Sequence, residues 1–282
     1  MNYRHAFHAG NFADVVKHAV LARILVHLAG KPTAFRVIDT HAGAGLYDLA
    51  GAEASRTGEW RDGIGRLAAA ELAPQVRELI APYLDVVTGF NRGTPIITYP
   101  GSPALARALL RRQDRLTACE LESGAARTLA DQLGGDLRIK VIAIDGWTAL
   151  KAYVPPKERR GLVLIDPAFE QPDEFTRLAD ALIAAHRKWP TGIYQLWYPI
   201  KDRREGEAFA RRLADSGIPK ILRVEVEVAP IDPERLNGSG LVIVNPPWTL
   251  ERELKILLPA LMSVLARTGK GDVRIDWLVR EK

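Results

Sequence analysis

The chain has 282 residues, and its 47% hydrophobic and 26% charged residues are ordinary for a globular protein with a substantial core. The formal net charge of +5 is compatible with a polyanionic partner without requiring one, and the single cysteine, Cys119, excludes an internal disulfide framework. The N-terminus is polar, and no apolar stretch approaches the roughly 18 residues that a membrane span needs. We therefore expect a soluble, cytoplasmic, monomeric protein that does not bind membranes.

The N-terminal segment predicts a helix, a strand and a glycine turn. Asn11 is a favourable N-cap ahead of apolar residues at helical spacing, and the helix should end near Gly30. The strand from Ala34 to Asp39 breaks off in residues 41–45, His-Ala-Gly-Ala-Gly. A Gly-x-Gly turn lets the backbone approach a cofactor closely, although a simple tight turn explains the same residues.

Residues 47–100 differ in pattern from the rest of the chain. They hold no clear buried strand and predict helices over 64–72 and near 75–84, closed by the Tyr-Pro-Gly-Ser-Pro of residues 99–103. We therefore predict an inserted helical subdomain over 47–100 and a main domain formed by 1–46 and 101–282.

After the insertion, strands and helices alternate. The predicted strands are 115–121, 139–144, 162–165, 192–197, 221–228, 241–244 and 273–278, and helices lie between most of them. Such alternation indicates an α/β fold with a largely parallel sheet covered on both faces. No helix is predicted between the strands 221–228 and 241–244, which favours an antiparallel edge of the sheet.

Acidic residues follow two of these strands and indicate a nucleoside pocket. A dinucleotide motif would need a third glycine where Asp48 stands, and Asp48 would repel a pyrophosphate, so a cofactor without phosphates fits better. Glu120 suits both hydroxyls of a ribose, and removing residues 47–100 brings its distance from Gly45 to the usual value of about 20. Asp145, followed by Gly146, suits an adenine amino group. Helix N-caps are the alternative for both carboxylates.

The segment Asp166-Pro167-Ala168-Phe169 follows an apolar strand and suits methylation of an adenine amine. That amine is a poor nucleophile unless both of its N–H groups are accepted. Asp166 can accept one N–H and then the proton, and the Pro167 carbonyl can accept the other. Phe169 can stack on the extruded base. The alternative is a helix cap with proline in the first turn.

A second segment, residues 245–248 (Asn-Pro-Pro-Trp), also follows an apolar strand and competes for the catalytic role. Chain order argues against it. With the insertion removed, Asp166 ends the fourth strand, which lies next to the first in such folds, whereas Asn245 ends a much later strand. We therefore interpret residues 245–248 as a structural turn.

Two basic clusters are candidates for contact with a polyanion. They consist of Arg107, Arg111, Arg112 and Arg115, and of Lys201, Arg203, Arg204, Arg211 and Arg212. We expect the first cluster and residues 47–100 to form part of a nucleic-acid surface; solvated helix faces are the alternative. Four histidines, His5, His8, His18 and His27, precede residue 30 without a cysteine among them, and we predict no metal site.

In this order, these motifs resemble the bacterial large-subunit ribosomal RNA adenine-N6 methyltransferases of the RlmJ family. The resemblance covers essentially the whole chain. It rests on YRHAFHAGNFADVVKH at 3–18, DTHAGAG at 39–45, YPGSP at 99–103, DG at 145–146, RGLVLIDP at 160–167, LWYP at 196–199 and GLVIVNPPW at 240–248.

The resemblance implies a Rossmann-like class I methyltransferase domain that uses S-adenosylmethionine to methylate 23S ribosomal RNA, with the first helix contributing to the donor pocket. The positions implied to contact the donor are Lys17, His18, His41, Ser102, Glu120, Asp145, Gly146 and Asp166. Asp166 is implied to be catalytic, and Tyr3, Pro167 and Phe169 to lie near the RNA. The family's Asp-Pro-Pro-aromatic motif has Ala168 in place of its second proline here, which puts the stiffness of that loop in question.

Overall fold

The computed structural model describes residues 4–93, 95–269 and 271–281. The strands are β1 (Arg36–Asp39), β2 (Leu46–Asp48), β3 (Thr98–Pro100), β4 (Arg115–Glu120), β5 (Ile139–Ala143), β6 (Gly161–Ile165), β7 (Ile193–Ile200), β8 (Ile221–Glu227), β9 (Gly238–Val244) and β10 (Asp272–Val279). The α-helices are α1 (Phe12–Ala29), α2 (Ala52–Thr57), α3 (Arg66–Ala69), α4 (Pro74–Gly89), α5 (Ser102–Leu109), α6 (Ser123–Leu133), α7 (Gly146–Tyr153), α8 (Glu174–Lys188), α9 (Arg203–Ala214) and α10 (Leu250–Leu265).

Eight strands form one sheet in the order β10-β8-β9-β7-β6-β1-β4-β5. The five strands from β7 to β5 are mutually parallel, and β9, β8 and β10 are antiparallel to their neighbours. Helices cover the faces of the parallel strands. The strand Gly161–Ile165 is therefore buried along its whole length. The predicted α/β, Rossmann-like fold is therefore confirmed, and so is the antiparallel edge.

The sheet has two functionally different edges. We call the edge where β1, β4, β5, β6 and β7 end the carboxyl edge, and the edge where they begin the amino edge. Strand β6 pairs directly with β1, in register from Gly161 opposite Arg36 to Leu164 opposite Asp39. The residues that follow β1 and β6 therefore lie side by side at the carboxyl edge, where ligands bind in open α/β sheets.

None of the described residues between β2 and β3 belongs to a strand of the large sheet. Strands β2 and β3, which the sequence did not predict, pair with each other as an antiparallel ribbon that joins the two ends of the segment. Helix α4 packs on α1 and α10, and its buried Ile80, Tyr83 and Val87 belong to the same hydrophobic cluster as the sheet. The segment thus shares the core of the main domain.

Helix α1 begins at the predicted cap, where the Asn11 side chain accepts a hydrogen bond from the Asp14 amide at 3.0 Å. Almost the whole helix is buried, including the polar residues Asp14, Lys17 and His18 in its first two turns. Buried polar and charged groups need partners, so these three side chains must be satisfied inside the protein. None of the described helices is long and apolar enough to cross a membrane.

Asn245 lies at the amino edge, because β9 runs antiparallel to β7 and Val244 pairs with Tyr194 near the start of β7. The Asn245 amide group donates to the carbonyl oxygens of Pro190 and Gly192, both at 2.8 Å, and its φ angle is +52°. The residue therefore closes a turn on the side of the sheet away from Asp166.

Candidate active site

A cavity of about 840 Å³ opens at the carboxyl edge of the sheet. It is lined by segments that follow β1, β4, β5 and β6 and by the start of the chain. All eight positions implied to contact a methyl donor lie in its wall: Lys17, His18, His41, Ser102, Glu120, Asp145, Gly146 and Asp166. Pro167 lies there too, next to Asp166. Residues that are far apart in the sequence are thus brought together by strand order.

Glu120 is held in place by backbone amides at the end of β4. One carboxylate oxygen accepts from the Gly43 amide at 2.8 Å, and the other accepts from the Glu122 amide at 2.8 Å. Each oxygen retains a lone pair for a further donor, as ribose hydroxyls would supply. Glu122, rather than Glu120, caps α6, accepting from the amides of Gly124 and Ala125 at 2.8 and 2.6 Å.

Two glycines keep side chains out of the cavity wall. A Cβ atom on Gly43, whose φ is +63°, would lie 2.1 Å from the Tyr47 hydroxyl oxygen. A Cβ atom on Gly146 would lie 2.4 Å from the Thr40 carbonyl oxygen and 2.7 Å from the His41 ring. Glycine is therefore required sterically at both positions, which leaves bare backbone facing the cavity.

Asp145 caps helix α7, which was the alternative interpretation, but only one of its two carboxylate oxygens takes part in the cap. Oδ2 accepts from the Thr148 amide at 2.8 Å and from its hydroxyl at 3.0 Å, while Oδ1 lies 3.9 Å from an Arg177 nitrogen. The Arg177 guanidinium stacks over the Trp147 ring at 4.8 Å, and the centroid of the His41 ring lies 5.3 Å from that of Trp147. Asp145, Trp147 and His41 therefore form a corner of the cavity that combines two rings with a carboxylate.

Lys17 links α1 to the segment after β6. Its ammonium lies 2.9 Å from one oxygen of Asp14 and forms a hydrogen-bonded ion pair with Asp166. The second oxygen of Asp14 contacts His5 Nε2 at 2.9 Å and the Gly10 amide at 2.9 Å. Although burial opposes it, contact with His5 and Lys17 holds the pKa of Asp14 well below its usual value. A network of hydrogen bonds and ion pairs therefore connects His5 and Asp14 through Lys17 to Asp166.

Two of the histidines that line the cavity, His18 and His41, are neutral at physiological pH. Burial lowers the pKa of His18 to about 3 and that of His41 to about 4. His18 Nδ1 contacts the Tyr99 hydroxyl at 2.8 Å, and His41 Nδ1 contacts the Thr40 hydroxyl at 2.8 Å. They are consequently suited to shape a pocket rather than to neutralise an anion. No group of three or more potential metal ligands occurs among the described residues.

Comparisons with known proteins agree with this geometry. The family model described as "Ribosomal RNA large subunit methyltransferase D, RlmJ" matches residues 32–279. The chain belongs to the RlmJ family. It is 41% identical over its full length to ribosomal RNA large subunit methyltransferase J of Escherichia coli, and 40% identical to the protein of that name from Haemophilus influenzae; each comparison covers all of both chains.

A solved structure from Legionella pneumophila also matches this RlmJ-family chain. Its TM-score is 0.87 at 34% identity, and the match covers 96% of this chain and 98% of that one. The family and its named relatives make the chain a ribosomal RNA methyltransferase, and the solved structure agrees with its Rossmann-like fold, as the resemblance predicted.

One predicted substrate residue of this RlmJ-family chain, Phe169, does not line the cavity. The Phe169 ring, on a backbone with φ of +50°, packs edge-on against Phe175 and Trp197, with ring centroids 4.9 and 5.7 Å away. Its stacking on a substrate base stays a prediction and would require a different conformation of the loop. Tyr3 lies outside the described residues.

Sequence reasoning missed several residues of the cavity wall. Arg177 and Glu174 come from the start of α8, well after the catalytic motif, and no local pattern distinguishes them from ordinary helix residues. Trp147 directly follows Asp145-Gly146, and its aromatic character was a usable signal. His5 belongs to the N-terminal motif that carries the family resemblance.

Asp39, the last residue of β1, is fully buried beside the site. Its Oδ2 accepts from the Ser102 hydroxyl at 2.7 Å. Burial raises the pKa of Asp39 to about 7, with the nearby Asp166 adding to the shift and the Ser102 hydrogen bond opposing it. The carboxyl group therefore changes charge near neutral pH.

Replacing Asp39 by Asn is expected to stabilise the protein increasingly as pH rises from about 4 to 7. The unfolded chain loses this proton near the ordinary pKa of 3.8, whereas the folded protein loses it near 7, so ionisation costs stability through that range and above it. The expected gain above pH 7 is on the order of a few kcal/mol. Urea unfolding of both proteins between about pH 4.5 and 8 measures it; a difference that does not change with pH would contradict the assignment.

Proposed function

We propose that this protein transfers a methyl group from S-adenosylmethionine to the exocyclic N6 amine of an adenine in 23S ribosomal RNA. The observation that carries the proposal is the direct pairing of β1 with β6. This pairing brings Asp166 and Pro167 into the same cavity wall as Glu120, Asp145 and the glycine turn. A cytoplasmic location and a monomeric state are part of the proposal.

The cavity fits the donor at several points. The Glu120 carboxylate has hydrogen-bonding capacity for a ribose, and the corner formed by Asp145, Trp147 and His41 suits an adenine ring with its amino group. The backbone around Gly43 and Gly146 is free of side chains that would fill the space. When bound, S-adenosylmethionine supplies a sulfonium methyl group.

The chemistry that this chain supplies is positioning and proton acceptance. One oxygen of Asp166 and the Pro167 carbonyl accept the two N–H groups of the target amine, so that its lone pair points away from the ring plane. As positive charge develops on the nitrogen, Asp166 stabilises it and takes the proton. Lys17, ion-paired with Asp166, fixes the orientation of the carboxylate.

The test is transfer of labelled methyl groups to ribosomal RNA from cells that lack this protein, followed by nucleoside analysis. We expect N6-methyladenosine in the 23S RNA, and no transfer by Asp166→Ala. Label in DNA adenine instead would assign the protein to the DNA methyltransferases. Binding of RNA without any transfer would make it a non-catalytic binding protein.

The two basic clusters differ in position, which revises the expected RNA surface. Arg111 lies at the amino edge and donates to the carbonyl oxygens of Ala29, Lys31 and Thr33 and to Asp114, so it stabilises the fold. The second cluster begins immediately after β7 ends, at the carboxyl edge, and its Lys201 and Arg204 are exposed. We propose that this second cluster, rather than the first, contacts RNA beside the cavity.

Replacing Lys201 and Arg204 by Gln is expected to weaken RNA binding and to reduce its salt dependence. The slope of log K against log salt is negative. For every phosphate that the variant no longer neutralises, its magnitude should decrease by about 0.7 to 0.9. The matched control is Arg112→Gln, an exposed arginine near the amino edge, which should leave the slope unchanged. Equal slopes for the double variant and the wild-type protein would mean that the second cluster is a solvated helix face that does not contact RNA.

A further inference from the structure

A second, much smaller cavity adjoins the active site. Its volume is about 10 Å³, close to the space that one water molecule needs. Lys17, Ser102 and Asp166 line both cavities and separate them. Behind these three side chains, the small cavity is lined by polar groups of Asp39 and Gln195 and by apolar groups of Leu21, Leu164, Ile165 and Trp197.

Two buried oxygens of residues that line this small cavity have no hydrogen-bond partner among the described residues. They are Asp39 Oδ1 and Gln195 Oε1. Both residues are almost fully buried, with exposed fractions of 1% and 2%. The other polar atom of Gln195 is used, because its amide nitrogen donates to the Lys17 carbonyl oxygen at 3.1 Å and thereby fixes which side of the amide is the acceptor.

Unsatisfied buried acceptors are costly, and a single donor group placed between two acceptors can satisfy both. A water molecule donates two hydrogen atoms and accepts from further donors, and the cavity has the size and the polar partners that such a water requires. Asp166 and Lys17 line the same small cavity, so the carboxylate of Asp166 adjoins the space that Asp39 and Gln195 share.

We propose that Asp39 is a proton store behind Asp166, connected to it through one water molecule held by Gln195. This inference rests on the proposed function. As the N–C bond forms and the S–C bond of the donor breaks, the amine N–H bond breaks and its proton passes to Asp166. The water then takes that proton and gives one of its own to Asp39, so that Asp166 returns to its ionised form and its ion pair with Lys17 is restored. Asp39 releases the proton to solvent when the products leave.

The surroundings of Asp39 suit this role. The charged groups that act on it are Lys17 from α1 and Asp166 after β6. Ser102 on α5 donates a hydrogen bond to it, and the nearby backbone amide of His41 also favours its ionised form. On β4, the neighbouring Cys119 stays a neutral thiol because burial raises its pKa to about 12. A pKa of about 7 for Asp39 lets the carboxyl group both accept and release a proton near neutral pH. Asp39 does not line the large cavity, so it acts through Asp166.

The test is the pH dependence of single-turnover methyl transfer to RNA, with donor affinity measured in parallel. The wild-type rate should rise with pH through about 7, because the store must be ionised to accept a proton. Asp39→Asn should lose this rise and be slower by about tenfold or more at about pH 8, less than the ~10²–10⁴-fold that a base in direct contact contributes. Its donor affinity should stay within about twofold of wild type. Glu253→Gln, which removes a carboxylate on α10 away from the cavities, should keep the wild-type profile.

A second variant and a spectroscopic measurement test the same inference independently. Gln195→Met removes the acceptor that holds the water and should also lose the rise through about pH 7. Infrared difference spectra between the wild-type protein and Asp39→Asn at about pH 6 should contain a protonated carboxylic acid band that disappears at about pH 8. A wild-type pH profile in folded Asp39→Asn, or the absence of that band, would overturn the proton store. A wild-type protein that methylates no adenine would instead overturn the proposed function.

Discussion

Asp166→Ala is expected to abolish methyl transfer almost completely, with a loss on the order of 10³-fold or more in the single-turnover rate. The variant loses both the group that positions the amine and the group that accepts its proton. Donor affinity should change far less, because the main partner of Asp166 is the substrate base. Single-turnover transfer to RNA and calorimetric binding of S-adenosylhomocysteine measure the two quantities separately.

The matched control for this variant is Asn245→Ala at the competing Asn-Pro-Pro-Trp segment. Asn245 holds a turn at the amino edge through Pro190 and Gly192, so its loss should lower stability and leave the rate per folded molecule close to that of the wild-type protein. Thermal melts establish the folded fraction of each variant. Near-normal transfer by folded Asp166→Ala, together with an inactive folded Asn245→Ala, would move the catalytic assignment to the later strand.

Glu120→Ala is expected to weaken binding of the donor or its demethylated product by about 1.5–3 kcal/mol, the usual range for hydrogen bonds to a charged group. That range corresponds to an increase in Kd of roughly 10- to 150-fold. The variant also releases the amides of Gly43 and Glu122 that Glu120 holds, so the glycine turn loses an anchor.

Glu120→Gln separates these two contributions, because it keeps one oxygen acceptor and the shape of the side chain while removing the charge. We expect an intermediate affinity, measured by calorimetry with S-adenosylhomocysteine. An unchanged Kd in folded Glu120→Ala would remove Glu120 from the donor site. Tight binding of NAD without binding of S-adenosylhomocysteine would refute the assignment of the whole crevice.

The strands and long helices of the main domain could be predicted because their signals are local. The apolar run ending at Asp166 and the Asn11 cap of α1 agree with β6 and with the start of α1. The pairing of β1 with β6 followed from chain order, since crossover connections in such sheets obey strong rules. The short β2 and β3 ribbon was not predicted, because three-residue strands have too few alternating positions to stand out.

The partners and the exposure of charged side chains could not be predicted from their local sequence. Arg111 and Arg204 both belong to arginine clusters, yet the first is bound to backbone carbonyls at the amino edge, whereas the second is exposed in the segment that follows β7. Asp145 has two roles, because one of its oxygens caps α7 and the other faces Arg177. These outcomes depend on which segments meet, and no spacing rule encodes that.

The sequence by itself determined the α/β class, the family, and the residue types available for donor binding and proton acceptance, because strand periodicity, glycine turns and short motifs are properties of neighbouring residues. Only the tertiary structure decided that Lys17 contacts Asp166, that Phe169 packs away from the cavity, and that Asp39 and Gln195 share a buried space. The physical reason is burial. Desolvation and the choice of partner set the charge of a group such as Asp39, and both depend on side chains brought together from separate elements of the fold.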